Sequence, residues 1–194
     1  MLSGCSADLT NSPIRSEQPI VDKTVNQEDL QEEQKLALQR YNHYRSLVHD
    51  VKLVWDADLA EHAKRHVDYL VKNISKPSSS STVHAENLRE LNQGENIAWA
   101  SNKNKYTRAS PLDLTKDNGQ VYEAVDAWAA EAYFYDYDKN KANKVGEAIG
   151  HYTQMVWKDT TKVGCAKAKV QSNGSEWTVC RYSTPGNYTG QKPY

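Results

Sequence analysis

The sequence predicts an α+β domain, with helices first and a β-hairpin last. Two observations carry that reading. Through three long segments of the first two thirds, apolar residues recur at steps of three, four or seven, the period of an amphipathic helix. Beyond residue 160 the pattern changes to two short strand-like runs flanking Ser172-Asn173-Gly174-Ser175, a strong hairpin signal. A chain of 194 residues is long enough for one domain with its own hydrophobic core, and short for two.

From Glu28 onward, Leu30, Ala37, Tyr41, Tyr44 and Val48 mark the face of a first long helix. Asp56 is the expected N-cap of a second. Leu59, Ala63, Val67 and Leu70 form its stripe, and Glu61, Lys64, Arg65 and Asp68 face water. Residues 75–82 read as a loop, residues 93–101 ("QGENIAWAS") as a short helix, and residues 102–119 as a surface excursion. A third long helix is expected over "GQVYEAVDAWAAEAYFYDY", with Val121, Val125, Trp128 and Ala132 on one face. A loop follows over 138–147. The hairpin strands are residues 163–170 and 176–183. Gly164, Ala166 and Ala168 share a small-residue face against which a helix could pack closely. Folding about Asn173-Gly174 brings Cys165 and Cys180 to neighbouring strands. A disulfide is the favoured reading there, and two reduced buried cysteines are the alternative.

The formal net charge of −1 gives no whole-protein field that would favour nucleic acid. Twelve Tyr and five Trp against one Phe suit half-wet surfaces and clefts, since both side chains join large contact area to a polar group. No segment approaches the ~20 apolar residues of a membrane span. Residues 6–27 are polar and aperiodic and read as a flexible tether, reaching roughly 25 Å as a random coil. At its start, Leu2-Ser3-Gly4-Cys5 resembles the lipobox of bacterial lipoproteins, which implies acylation at Cys5. The expected organisation is a lipobox-like N-terminus and tether over 1–27 and a folded domain over 28–194. The expected address is the bacterial cell envelope, anchored by lipid rather than by a spanning helix, and Ser6 resembles the outer-membrane sorting pattern. The alternative is a secreted protein, for which the sequons at Asn73, Asn173 and Asn187 become candidate glycan sites.

Among six histidines, His62 and His66 are spaced i, i+4, a metal-binding geometry in principle. Ala63 stands where the zinc-protease motif needs glutamate, so both are expected at the boundary of a solvated face. Glu95 lies in an apolar segment beside Trp99. Glu131 follows Trp128 by three positions, which puts both on one helix face. A carboxylate on an apolar face must find a partner, because burying it unpaired is costly. By spacing alone, these glutamates read as helix caps or acceptors of backbone amides, and His151 as a structural histidine.

Four segments, in order, shift that reading: "GENIAW" at 94–99, "AVDAWAAEAYFYDY" at 124–137, "GHYTQMVW" at 150–157 and "VCRYSTPGNYTGQKPY" at 179–194. Together they resemble the signature set of the CAP superfamily of cysteine-rich secretory proteins, antigen 5 and pathogenesis-related-1 proteins. The resemblance covers about residues 30–194. It implies a three-layer α-β-α sandwich with a small antiparallel sheet between helices. It also implies a cleft tetrad of two histidines and two glutamates, carried here by His84, Glu95, Glu131 and His151. His84 is followed by Ala85 where the family often has serine. In that setting His84 and His151 would ligate Zn²⁺ or another divalent metal, with Glu95 and Glu131 orienting ring nitrogens or bound water. The resemblance implies a binding module for a lipid, a sterol or a protein partner. A metal-dependent hydrolase using the same tetrad is one alternative, and an envelope or host-interaction protein with an idle cleft is another. No serine or cysteine nucleophile with a dedicated base is evident.

Overall fold

The computed structural model describes residue 28 and residues 30–74, 76, 77, 83–101 and 121–194. Cys5, the tether to residue 27, most of the 75–82 loop and the 102–119 excursion lie outside the described residues.

The first helix, α1, spans Glu32–Ser46. Glu32 and Glu33 in its first turn and His43 and Arg45 in its last oppose the helix dipole favourably. Ala37, Leu38 and Tyr41 enter the core. Arg45 is fully buried, and its guanidinium donates to the carbonyls of Val51, Met155, Trp157 and Thr160 at 2.8–2.9 Å. Strand β1, Val54–Trp55, leads into α2, Ala57–Asn73. Asp56 caps α2 as expected, its Oδ1 accepting from the amides of Asp58 and Leu59 at 3.0 Å. The stripe Leu59, Ala63, Val67 and Leu70 is buried.

Residues 93–101 are not a helix. Gly94–Ala100 form strand β2, paired antiparallel with the last strand over seven residues. A nine-residue stretch with four apolar side chains is ambiguous by period alone, and cross-strand pairing decides it. Helix α3, Val121–Ala129, ends earlier than expected. It tightens into a 3₁₀ segment over Ala130–Phe134, then a small ribbon of β3, Tyr135–Asp136, and β4, Lys141–Ala142. At three residues per turn the face rotates, so Ala132 becomes exposed while Glu131 turns inward. Asp136 braces the reversal, its carboxylate accepting from the Lys139 amide at 3.1 Å and from Lys139 Nζ at 2.6 Å. Helix α4 is short, Gly150–Met155.

Strands β5, Lys162–Lys169, and β6, Glu176–Ser183, form the expected hairpin, with Cys165 directly opposite Cys180 and joined to it as a disulfide. Sheet order is β1-β5-β6-β2, parallel only between β1 and β5. One face presents Gly164, Ala166 and Ala168 with Trp177, Val179 and Arg181, and α2 lies on it. A Cβ on Gly164 would stand 2.2 Å from the Ala60 backbone nitrogen, so glycine permits that approach. The other face, with Val163, Cys165, Cys180 and Tyr182, shares a core with α1, α3 and α4. The result is the expected three-layer sandwich.

Candidate functional site

Two histidine–glutamate pairs flank β2, an edge strand. In the first, Glu95 projects from β2 towards the α2 side, opposite Arg181 of β6. His84 comes from the segment between α2 and β2. Its Nδ1 lies 2.8 Å from Glu95 Oε1, which also accepts from the Ala85 amide at 3.1 Å. A carboxylate only accepts, so His84 Nδ1 carries a proton, and the lone pair of the neutral ring is on Nε2. Arg181 Nε closes an ion pair with Glu95 Oε2 at 2.7 Å. Burial pushes the Glu95 carboxyl up, but the His84 hydrogen bond, Arg181, His66 and the Ala85 amide together hold it below the usual carboxylate range.

In the second pair, Glu131 comes from the 3₁₀ segment and His151 from the first turn of α4. His151 Nδ1 donates to Glu131 Oε1 at 2.7 Å, while Oε2 accepts from the amides of His151 at 3.0 Å and Tyr152 at 3.2 Å. The ring also stacks on Trp128, with centroids 5.9 Å apart. Here too Nδ1 carries a proton, and the lone pair of the neutral ring is on Nε2. Asn96 Nδ2 donates to the His151 carbonyl at 3.1 Å, which ties this arm to the residue next to Glu95. Gly94 lets α4 dock, since a Cβ there would lie 2.2 Å from Gln154 Oε1.

The structure therefore pairs the four expected residues two by two. The glutamates are buried, while the side chains of His84 and His151 are 39% and 33% exposed. Among the described residues, no group of three or more His, Cys, Asp or Glu is arranged to hold a metal ion. The donor chemistry still suits a divalent cation, because each ring has Nε2 as its acceptor atom when Nδ1 donates to its glutamate.

His62 and His66 depart from expectation. Both are buried, at 6% and 7% exposure, rather than at the edge of a solvated face. The buried face of α2 is wider than its four-residue stripe, and polar partners wait beneath it. Gln93 Nε2 meets His62 Nδ1 at 2.8 Å, and His66 Nε2 meets the Val83 carbonyl at 2.7 Å. Burial holds the His66 imidazole below its ordinary value, against the opposing pull of Glu95. Sequence reasoning missed Arg181, Gln93 and Asn96. A signal for Arg181 existed, since it alternates with Val179 and Trp177 on an inward face, where an arginine needs a carboxylate. Reading 93–101 as helix hid its partner.

A groove of about 540 Å³ among the described residues lies between α1, α2 and β5. Leu30, Trp55, Ala60 and Val121 line it, with Glu33 and Lys167 among its polar residues.

The profile of the cysteine-rich secretory protein family matches residues 38–182. The pathogenesis-related protein PR-1 type of Sambucus nigra is 34% identical over 154 residues, covering 79% of this chain and 77% of that one. Among solved structures, Na-ASP-1 aligns with a TM-score of 0.54 at 24% identity over 92% of this chain. That is 46% of Na-ASP-1, so the chain spans about half its length. NaASP2, solved with Zn²⁺, aligns with a TM-score of 0.51 at 21% identity, covering 91% of this chain and 90% of that one. At these identities the structural likeness shows the fold.

Proposed function

Since the chain belongs to the cysteine-rich secretory protein family, with pathogenesis-related-1 relatives, we propose that it is an extracytoplasmic binding module whose His84/His151 cleft takes a divalent cation. One observation carries this reading: both half-exposed imidazoles are locked by buried glutamates in the tautomer that offers Nε2. A cation bound there would supply Lewis acidity, with His84 and His151 as its protein ligands. The zinc in the NaASP2 structure agrees with that chemistry. Both glutamates are already engaged by rings, amides or Arg181, which favours a binding role over that of a free catalytic base.

The α1–β5 groove, of a size that suits a small apolar ligand, is the proposed seat for a lipid or sterol. The Cys165–Cys180 disulfide supports an oxidising address, and acylation at Cys5 would hold the domain at a membrane surface. Among the described residues, no helix is long and apolar enough to cross a membrane. The deciding test is a Zn²⁺ titration by calorimetry near neutral pH, wild type against His84→Ala/His151→Ala. Saturable binding that disappears in the double variant is expected, and a wild type that binds no zinc overturns the cation reading. For the groove, a fluorescent sterol or fatty acid should show saturable binding that unlabelled lipid displaces.

A further inference from the structure

Behind the His84 arm a buried polar chain runs on from the His84–Glu95 pair. Arg181 can only donate, so its Nη1, 2.9 Å from Gln93 Oε1, fixes which end of that amide faces it. The amide nitrogen of Gln93 is therefore turned to His62 Nδ1, which must accept, and the His62 proton sits on Nε2. Arg181 Nε stands 2.7 Å from Glu95 Oε2, a buried ion pair without hydrogen-bond alignment. A second line reaches the same place. The Val83 carbonyl can only accept, so His66 Nε2 donates to it, and Val83 directly precedes His84. His62, His66, Gln93, Glu95 and Arg181 are all buried. Apolar side chains would pack α2 on the sheet as well, so stability alone does not call for five polar ones. The His151 arm has a different backing: two amides, and a ring stacked on Trp128.

We propose that Arg181 and His66 are positioning residues for His84. Arg181 fixes the rotamer of Glu95 and through it the imidazole. His66 fixes the Val83 carbonyl and through it the backbone from which His84 departs. What this positioning serves rests on the cation-binding reading above, whereas the positioning itself is visible in the metal-free protein.

Long-range ¹⁵N–¹H spectra of the metal-free full chain test it, with His151 as internal control. In the wild type both rings are expected with the proton on Nδ1. In His66→Leu and in Arg181→Lys, whose single ammonium keeps the charge but cannot hold Glu95 Oε2 and Gln93 Oε1 from two fixed nitrogens, His84 should become a tautomer mixture while His151 stays unchanged. His66→Gln keeps an N–H for the Val83 carbonyl and should restore His84. A His84 signal unchanged in folded Arg181→Lys overturns the role of Arg181, and one unchanged in folded His66→Leu overturns that of His66. If the leucine variant does not fold, His66→Gln decides for His66: it must keep the wild-type tautomer, and a mixture there overturns the role. Zinc titration of the same samples separates the two readings. A wild type that binds no zinc removes the cation site and leaves the tautomer result standing, whereas a wild type that binds should lose about ten- to a hundredfold in affinity in the displaced variants.

Discussion

Glu131→Gln probes how the His151 arm is held. Three donors converge on the carboxylate: His151 Nδ1 at 2.7 Å, the His151 amide at 3.0 Å and the Tyr152 amide at 3.2 Å. Glutamine offers one acceptor and one donor group, so it satisfies one side only. If its oxygen keeps the ring, its NH₂ faces two amides, and two unpaired donors cost about 1–3 kcal/mol each. If its oxygen turns to the amides, the NH₂ must donate to the ring, which moves the His151 proton to Nε2. All three contacts then survive but lose charge assistance, a fall of about 1 kcal/mol each and roughly 3 kcal/mol together. The second arrangement leaves nothing unpaired and is the expected one. The variant should stay folded and lose about 3 kcal/mol. With an m-value of about 2 kcal/mol/M, its urea midpoint should fall by about 1.5 M. Nε2 now carries a proton, so zinc affinity should drop at least about tenfold. Urea unfolding followed by tryptophan fluorescence, with ¹⁵N spectra of His151, reads both effects. A midpoint within about 0.3 M of wild type, with the proton still on Nδ1, would refute the reasoning.

Three further outcomes are expected. Replacing Cys165 and Cys180 by alanine opens a link across 15 positions of sequence and should cost about 3 kcal/mol, read as a lower melting temperature that reductant no longer changes. Gly164→Ala places a Cβ 2.2 Å from Ala60 N and 2.6 Å from the Asp56 carbonyl oxygen. Helix α2 must lift, and about 1–3 kcal/mol is lost; a variant as stable as wild type would mean that α2 does not rest on β5 so closely. Acid should destabilise the fold in two stages of the same sign. The His66 pKa is lowered from 6.5, so its contribution is complete above that value and is lost as pH falls towards the folded value. The Glu95 pKa is lowered from 4.5, so its contribution is lost below that, and denaturation midpoints from pH 8 to about pH 3 trace both. Midpoints that rise on acidification would contradict the His66 assignment.

The parts of the fold that were legible in the sequence are those where local chemistry and tertiary packing agree. Asp56 is both the local cap and the observed one. The Asn173-Gly174 turn sets the β5–β6 register that places Cys165 against Cys180. Gly164, Ala166 and Ala168 announce a close helix, which α2 provides. Where the two disagree, the sequence misled. Residues 94–100 are few and mix polar with apolar side chains, and only their seven partners on β6 make them a strand. The helix through Tyr137 was expected from periodicity, which cannot see the reversal that Asp136 braces. All four cleft residues came from motif resemblance. Their spacing alone suggested caps and amide acceptors, and part of that stands, because Glu131 does accept two amides of α4.

Placing residues 94–100 on a strand also accounts for the buried chain behind His84. On a strand, adjacent side chains leave opposite faces, so Glu95 and Asn96 serve different arms of the cleft from consecutive positions. Glu95 points to the α2 side and takes His84, while Asn96 points to the other side and holds the His151 carbonyl. β2 is one of the two edge strands of the β1-β5-β6-β2 sheet, paired only to β6 among the described residues. Once Glu95 is placed on a strand, its register partner is Arg181, and a buried arginine opposite a buried glutamate follows from the pairing alone. One strand thus sets the division of the cleft and the backing of one of its arms. A shift of β2 by one residue would turn Glu95 away from both His84 and Arg181.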